Sequence, residues 1–253
     1  MDVAVQRIET AILNNENILI YGDYDVDGTT AVSLVSSYLK TSYTNIATYI
    51  PDRYAEGYGI STQGIDFAED NGFSLIIALD CGIKAIDKVA YATKKNIDFI
   101  ICDHHKPGDE IPKAAAVLNP KRRDCTYPYD ELCGCGVGFK LIQALASKKG
   151  QPLEDLMPYL DLVATAIAAD IVPMTGENRT LAYLGLQVIN SNPRNGIKAI
   201  IQQVKKTILT ITDVVFIIAP RINAAGRIKH GNYAVELLTE MDLDAAVQFA
   251  AAI

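Results

Sequence analysis

Short apolar runs recur through the first half of the chain, and each ends on a polar or acidic cluster. The runs at 17–20, 44–51, 74–79, 99–102 and 115–118 are rich in branched residues and bounded by turn formers, so they predict five strands. Residues 1–10, 31–39 and 85–95 carry helical spacing instead, and Ser61 is placed to cap a helix running to about residue 71. Strands alternating with helices predict an α/β fold: a parallel β-sheet of about five strands flanked by helices, joined by right-handed crossovers. From Gly134 the pattern turns helical, at 136–149, 153–169, 179–190 and 196–204, which predicts a mostly helical C-terminal part. The stretch 220–230 reads as the most basic short loop of the chain, with Arg221, Arg227, Lys229 and His230 close together. Leu237, Leu238, Leu243, Ala246, Val247, Ala250 and Ile253 keep an apolar helical spacing to the final residue.

In such a sheet, ligands bind beyond the carboxyl ends of the strands. Three expected strands deliver acids or imidazoles there. The first ends in Asp23-Tyr24-Asp25-Val26-Asp27-Gly28, the third in Asp80, and the fourth in Asp103-His104-His105. In extended geometry alternate residues point the same way, so Asp23, Asp25 and Asp27 are expected to converge on one spot. Three like charges that close repel strongly unless cations sit among them. An EF-hand loop begins similarly, but its twelfth position would be Leu34 rather than Glu, and the segment before it reads as a strand. Asp170 closes a very apolar helix at its C-terminus, where a carboxylate opposes the helix dipole, so it reads as a ligand too.

Carboxylates with a minority of imidazole suit Mn²⁺ or Mg²⁺ better than structural zinc. Adjacent His104 and His105 are not expected to face the same metal, so they take different jobs, one ligating and the other reaching a substrate oxygen. Asp103 is expected to orient the ligating imidazole. Cys133-Gly134-Cys135 lacks a second pair at zinc spacing. Gly134, Gly136 and Gly138 read as packing or backbone-approach glycines, Lys121-Arg122-Arg123 as a solvated loop, and His230 as a weaker site candidate than the His104–His105 pair.

Composition narrows the class without choosing a function. Five cysteines without framework spacing predict reduced thiols and a cytoplasmic protein, and no apolar run is long enough to span a bilayer. The net charge of −7 neither announces nor excludes a polyanion partner, since bound metal would neutralise several acids.

Together, Asp23-x-Asp25-x-Asp27-Gly28, Asp80, Asp103-His104-His105 and Asp170 resemble the four motifs of the DHH phosphoesterase superfamily. Pro51-Asp52-Arg53, Glu56-Gly57-Tyr58-Gly59 and Arg221-Ile222-Asn223-Ala224-Ala225-Gly226-Arg227 are similar to its RecJ branch of single-strand-specific exonucleases. The resemblance implies a DHH phosphoesterase fold over residues 1–240, with 241–253 beginning a helix toward a DHH-associated domain. It implies two Mn²⁺ or Mg²⁺ ions bridged by Asp80, one held by Asp25 with Asp23, the other by Asp27, His104 and Asp170, clamping both oxygens of an in-line phosphodiester cleavage. His105 would contact the scissile phosphate, and Arg221, Asn223, Arg227 and Arg53 would hold phosphates of the strand. The implied activity is 5′-to-3′ removal of mononucleotides from single-stranded DNA in repair and recombination, by a monomer whose further domains would meet single-strand-binding protein or a helicase. A piece of this extent is expected to bind metal but to grip DNA weakly. A small-substrate phosphatase of the same superfamily, acting on short oligonucleotides, nucleotides or pyrophosphate, is the alternative. A non-catalytic nucleic-acid scaffold is disfavoured because every acidic position is filled.

Overall fold

Alternate residues of each apolar run face opposite sides of one sheet. The computed structural model describes residues 1–204, 206–228 and 231–253, with the side chains of 227 and 228 outside the description. Its strands are β1 (Asn17–Gly22), β2 (Ile46–Tyr49), β3 (Phe73–Leu79), β4 (Asp98–Cys102) and β5 (Ala116–Leu118). They pair in the order β2-β1-β3-β4-β5, every pair parallel, with Ile18 opposite Ile46 on one side and Leu75 on the other. Ile18, Ile20, Leu75, Ile77 and Ile100 face the core formed with α1 (Asp2–Leu13) and α2 (Val26–Lys40). Leu19, Tyr21, Ile76, Ala78 and Phe99 face α3 (Thr62–Asp70) and α4 (Ile86–Lys94). Burial on both faces explains why the strands read as continuous apolar runs rather than as alternation. From β1 the chain moves outward to β2, then returns to β3 on the other side of β1, so the order reverses between β1 and β3. That is the switch point at which open α/β sheets bind ligands.

The helical part begins with α5 (Gly134–Lys148), which packs on the α2 side of the sheet, and continues through α6 (Leu160–Asp170), α7 (Gly176–Ser191) and α8 (Asn195–Gln202). The last elements are α9 (Ile211–Asp213), α10 (Ala219–Ile228), α11 (Gly231–Thr239) and α12 (Leu243–Ala251). Fully buried Asp161, in the first turn of α6, accepts from the Arg194 guanidinium at 3.0 and 3.1 Å and from the Arg194 backbone N–H at 2.9 Å. Arg194 also donates to the carbonyl of Leu238. This desolvated pair locks α6 against α8 and α11, so the far end of α6, which carries Asp170, is held in place. Helix α12 folds back with Ala246 and Ala250 buried, and Gln203 donates to the Ala250 carbonyl at 2.7 Å.

Three expectations are corrected. The helix expected at 153–169 is broken: Leu153–Tyr159 is a 3₁₀ helix containing Pro158, and α6 starts only at Leu160. Proline supplies no N–H and crowds the preceding turn, so one continuous α-helix cannot pass through it. The basic stretch expected as a loop is helical over its described part: a π-helical turn at Val214–Ile218 runs without a break into α10, so Pro220 lies inside one continuous helical run, next to the irregular turn. His230 lies outside the described residues. Finally, α2 begins at Val26 rather than near residue 31, inside the acidic motif itself.

Candidate metal centre

That early start reshapes the Asp cluster. Asp25 is the N-cap of α2, its carboxylate accepting from the Gly28 N–H at 2.9 Å, and Asp27 already lies in the first helical turn. The three acids therefore do not fan from one extended segment onto one spot. They divide: ligand atoms of Asp23, Asp25 and Asp80 lie within 4.8 Å of one another, and those of Asp27, His104 and Asp170 form a second such group. Asp80 sits at the end of β3 with φ 58°, a left-handed conformation that costs on the order of 1 kcal/mol or more for a residue with a side chain. Its N–H still bonds the Cys102 carbonyl at 2.8 Å, so pairing with β4 holds the strained residue in position.

Asp27 is gripped from a distant part of the chain. Its two carboxylate oxygens accept from the backbone N–H groups of Gly134 and Cys135, at 2.6 and 2.7 Å, at the N-terminus of α5. A helix N-terminus is a natural seat for a carboxylate. A Cβ on Gly134 would lie 2.5 Å from both Cβ and Oδ1 of Asp80, so only glycine allows the α5 backbone this close to both acids. The expectation of a backbone-approach glycine is met here; its partners are protein carboxylates.

His104 is buried, and its Nε2 lies 3.2 Å from Asp80 Oδ1, 3.6 Å from Asp170 Oδ2 and 3.7 Å from Asp27 Oδ2. Among the described residues, the buried side-chain atoms lacking a hydrogen-bond partner include both ring nitrogens of His104, Asp80 Oδ1 and Asp23 Oδ2. Orphaned buried polar atoms are costly, at about 1–3 kcal/mol each. Three of them belong together: His104 Nε2 lies 3.2 Å from Asp80 Oδ1, and Asp23 shares the first ligand group with Asp80, as they would if cations completed their bonding. The donor set, carboxylate oxygens with one imidazole nitrogen, fits hard divalent ions such as Mn²⁺ or Mg²⁺.

The electrostatics agree. Burial, with Asp25 close by, pushes the Asp23 carboxyl up to about 7. Burial and the nearby Asp170 lift Asp27 to about 7 despite its two backbone donors. Burial and Asp27 raise Asp80 well above the usual carboxylate range, and burial with Asp25 lifts Asp170 to about 6. Burial lowers His104 to about 4, so its ring is neutral at pH 7 and free to ligate. Without cations, the cluster holds protons.

The other histidine is arranged differently. His105 Nδ1 lies 2.7 Å from Asp103 Oδ1, and Nε2 is 3.1 Å from the hydroxyl of Tyr58. Asp103 also accepts the backbone N–H groups of Ile83, His104 and His105. Burial alone would raise the Asp103 carboxyl, but the His105 ring and these amides hold it below its ordinary value, and the same contact raises His105. Two expectations change. Asp103 orients the ring of His105, not that of the orphaned His104, to which it offers only a backbone contact. The two imidazoles also do not face apart: donor atoms of Asp80, His104 and His105 lie within 4.8 Å of one another, because His105 turns back at the end of β4 to reach Asp103.

Of the expected strand-binding residues, Asn223 lines a cleft of about 120 Å³ with Asp25, Asp27 and Asp170. The Arg53 guanidinium lies over the Tyr24 ring, 4.4 Å from its centroid, and Tyr24 meets Tyr58 edge-on. Arg221 donates instead to the carbonyl of Ile217, one turn back along its own helical run. The side chain of Arg227 lies outside the described residues. A Cβ on Gly226 would come within 3.3 Å of the Tyr24 carbonyl, so this glycine brings α10 against the acidic loop. Sequence reasoning missed the role of Tyr58; its neighbourhood in Glu56-Gly57-Tyr58-Gly59 was the only available signal.

A family model, the N-terminal domain of the DHH family, matches residues 17–167. The chain belongs to the DHH family. The matched stretch runs from β1 into α6 and contains all the acids and histidines above except Asp170. A single-stranded-DNA-specific exonuclease RecJ of Bacillus subtilis (strain 168) is 42% identical over the whole of this chain, which covers 32% of that protein. The RecJ of Escherichia coli (strain K12) is 35% identical over 94% of the chain and 44% of its own length. A crystal structure of exonuclease RecJ bound to manganese superposes with a TM-score of 0.89 at 30% identity, over 98% of this DHH chain and 63% of that one. A crystal structure of the Thermus thermophilus RecJ in complex with Mn²⁺ gives 0.85 at 28% identity, over 98% of this chain and 36% of that one. The chain thus spans 32% and 44% of the lengths of the two curated relatives named here. Among the described residues, no helix is long and apolar enough to cross a membrane.

Proposed function

We propose that this DHH chain carries the catalytic centre of a metal-dependent, single-strand-specific DNA exonuclease that releases mononucleotides in the 5′-to-3′ direction, in the service of repair and recombination. The observation that carries the reading is the pair of ligand groups, Asp23/Asp25/Asp80 and Asp27/His104/Asp170, meeting at Asp80 and His104 with buried donor atoms left unbonded. The RecJ relatives supply the substrate class and the metals found with such a centre.

Asp80 would be shared between two sites, one completed by Asp23 and Asp25, the other by Asp27, His104 and Asp170. Two Mn²⁺ or Mg²⁺ ions bound there would supply Lewis-acid stabilisation of phosphoryl oxygens and an activated water. The protein groups do the rest. The amides of Gly134 and Cys135 fix both oxygens of Asp27 so that it need not reorganise. Asp103 fixes the tautomer of His105, leaving a proton on Nδ1 and Nε2 aimed outward. The same carboxylate favours the imidazolium, so when substrate displaces the Tyr58 hydroxyl the doubly protonated ring donates from Nε2 to a phosphate oxygen as charge builds there. Asn223 and the side chains of Arg221, Arg227 and Arg53 are assigned to phosphates of the strand, positioning without reading sequence.

The test is a single-stranded oligonucleotide labelled at its 5′ end, compared with the same strand labelled at its 3′ end, with its duplex and with a dinucleotide. Mn²⁺-dependent release of labelled mononucleotide from the 5′-labelled single strand first is expected. Hydrolysis confined to the dinucleotide would replace this reading by a small-substrate phosphatase. Binding without hydrolysis at any metal concentration would leave only a scaffold.

A further inference from the structure

The carboxyl edge of the sheet has the metal groups at its middle and basic side chains near each end. In the order β2-β1-β3-β4-β5, Asp80 follows the central strand, Arg53 follows β2 and Lys121 follows β5. With strands about 4.8 Å apart, four intervals separate the ends of β2 and β5 by roughly 19 Å, each about 10 Å from the end of β3, and the Arg53 side chain reaches inward from there to the Tyr24 ring. Lys121 belongs to Lys121-Arg122-Arg123, which reads as a solvated loop in the sequence, but its neighbourhood is built. Buried Asn119 donates to the His105 carbonyl at 2.9 Å and accepts the Lys121 N–H at 2.8 Å, tying the Lys121 backbone directly to the segment that carries the catalytic histidines. Arg122 turns the other way, onto the Val117 carbonyl and Asp124. Lys121 Nζ makes only a loose ion pair, 3.7 Å from Glu131, with both side chains partly open to solvent.

We propose that Lys121 is a phosphate-binding residue of this centre. The single strand would lie along the carboxyl edge of the sheet, with Arg53 and Lys121 taking phosphates on opposite sides of the metal groups. This rests on the nuclease reading. Lys121 exchanges Glu131 for a backbone phosphate beyond the scissile one, which makes it a positioning group that sets how the strand crosses the cluster. Glu131 is the internal competitor that holds the ammonium in place while no strand is bound.

The experiment uses the whole chain and a twelve-nucleotide phosphorothioate single strand, with binding measured against salt and cleavage of the ordinary strand measured in parallel. Lys121→Gln is expected to raise Kd severalfold, to flatten the slope of log Kd against log salt by about 0.7, and to raise KM more than it lowers kcat. Glu131→Gln is expected to tighten binding, a direction that damage to the fold would not produce, and to lose that effect when Lys121→Gln is also present. An unchanged slope in Lys121→Gln, or equal tightening by Glu131→Gln in both backgrounds, overturns the proposal while wild-type cleavage keeps the nuclease reading intact. If the wild type neither binds nor cleaves the strand, both fall together.

Discussion

Stripped of divalent ions, the protein should lose stability as pH rises through neutrality, and metal should reverse the loss. Asp23 and Asp27 titrate near 7 in the folded state against an ordinary value of 3.8, and Asp80 titrates well above that value, each chiefly because of burial. A carboxyl with a raised folded pKa binds more protons folded than unfolded. Its stabilising contribution is complete below the unfolded pKa and is lost as pH climbs through the folded pKa. The raised His105 acts in the same direction over the range between its two pKa values. His104, lowered to about 4, acts oppositely, but only between about 4 and its ordinary 6.5. Above pH 7 the opposition from His104 fades, and the loss dominates.

At pH 7, Asp23 and Asp27 each retain about half a proton that the unfolded chain has released, and the raised Asp80 acts in the same direction. An excess proton is worth about 1.4 kcal/mol per pH unit, so Asp23 and Asp27 together account for a loss of about 1.4 kcal/mol per unit. For a chain of this size that corresponds to about 3–6 °C in Tm. Thermal unfolding followed by circular dichroism at pH 6, 7 and 8, in chelator and in Mn²⁺, reads it directly. Asp80→Asn should flatten the slope in chelator. A Tm in chelator that is flat or rising over this range would refute the picture of a cluster that holds protons in place of cations.

Asp80→Ala should abolish hydrolysis more completely than Asp23→Ala, because Asp80 lies 3.2 Å from His104 as well as within the Asp23/Asp25 group; near wild-type kcat/KM in Asp80→Ala would rule out a shared ligand. Gly134→Ala places a methyl against Asp80 and should cost about 1–3 kcal/mol in urea unfolding, together with weaker Mn²⁺ binding by calorimetry; unchanged values in both would mean the close approach is not needed. Asp103→Asn removes the negative charge facing the His105 ring and should lower kcat on the order of a hundredfold, with a smaller change in KM; a loss confined to KM would make His105 a ground-state binding group only.

The sheet was legible because burial on both faces forces continuous branched runs, and all five such runs became parallel strands. The acids and histidines were legible as residue types at strand ends, since only a site puts Asp23, Asp80 and His104 at the same edge of a buried sheet. What the sequence hid is how they divide. Alternation suggested that Asp23, Asp25 and Asp27 share a spot, but the Asp25 N-cap starts α2 inside the motif and turns Asp27 toward α5. The donors that hold Asp27, Gly134 and Cys135, are backbone amides more than a hundred residues away, and an amide leaves no trace in a side-chain pattern. Asp103 likewise read as the partner of the ligating imidazole, and only the turn at the end of β4 gives it to His105 instead. The same holds for Lys121, whose letters match any solvated basic loop until Asn119 ties its backbone to His105. In this fold, side-chain types announce a centre, and backbone hydrogen bonds between distant segments decide which job each side chain is given.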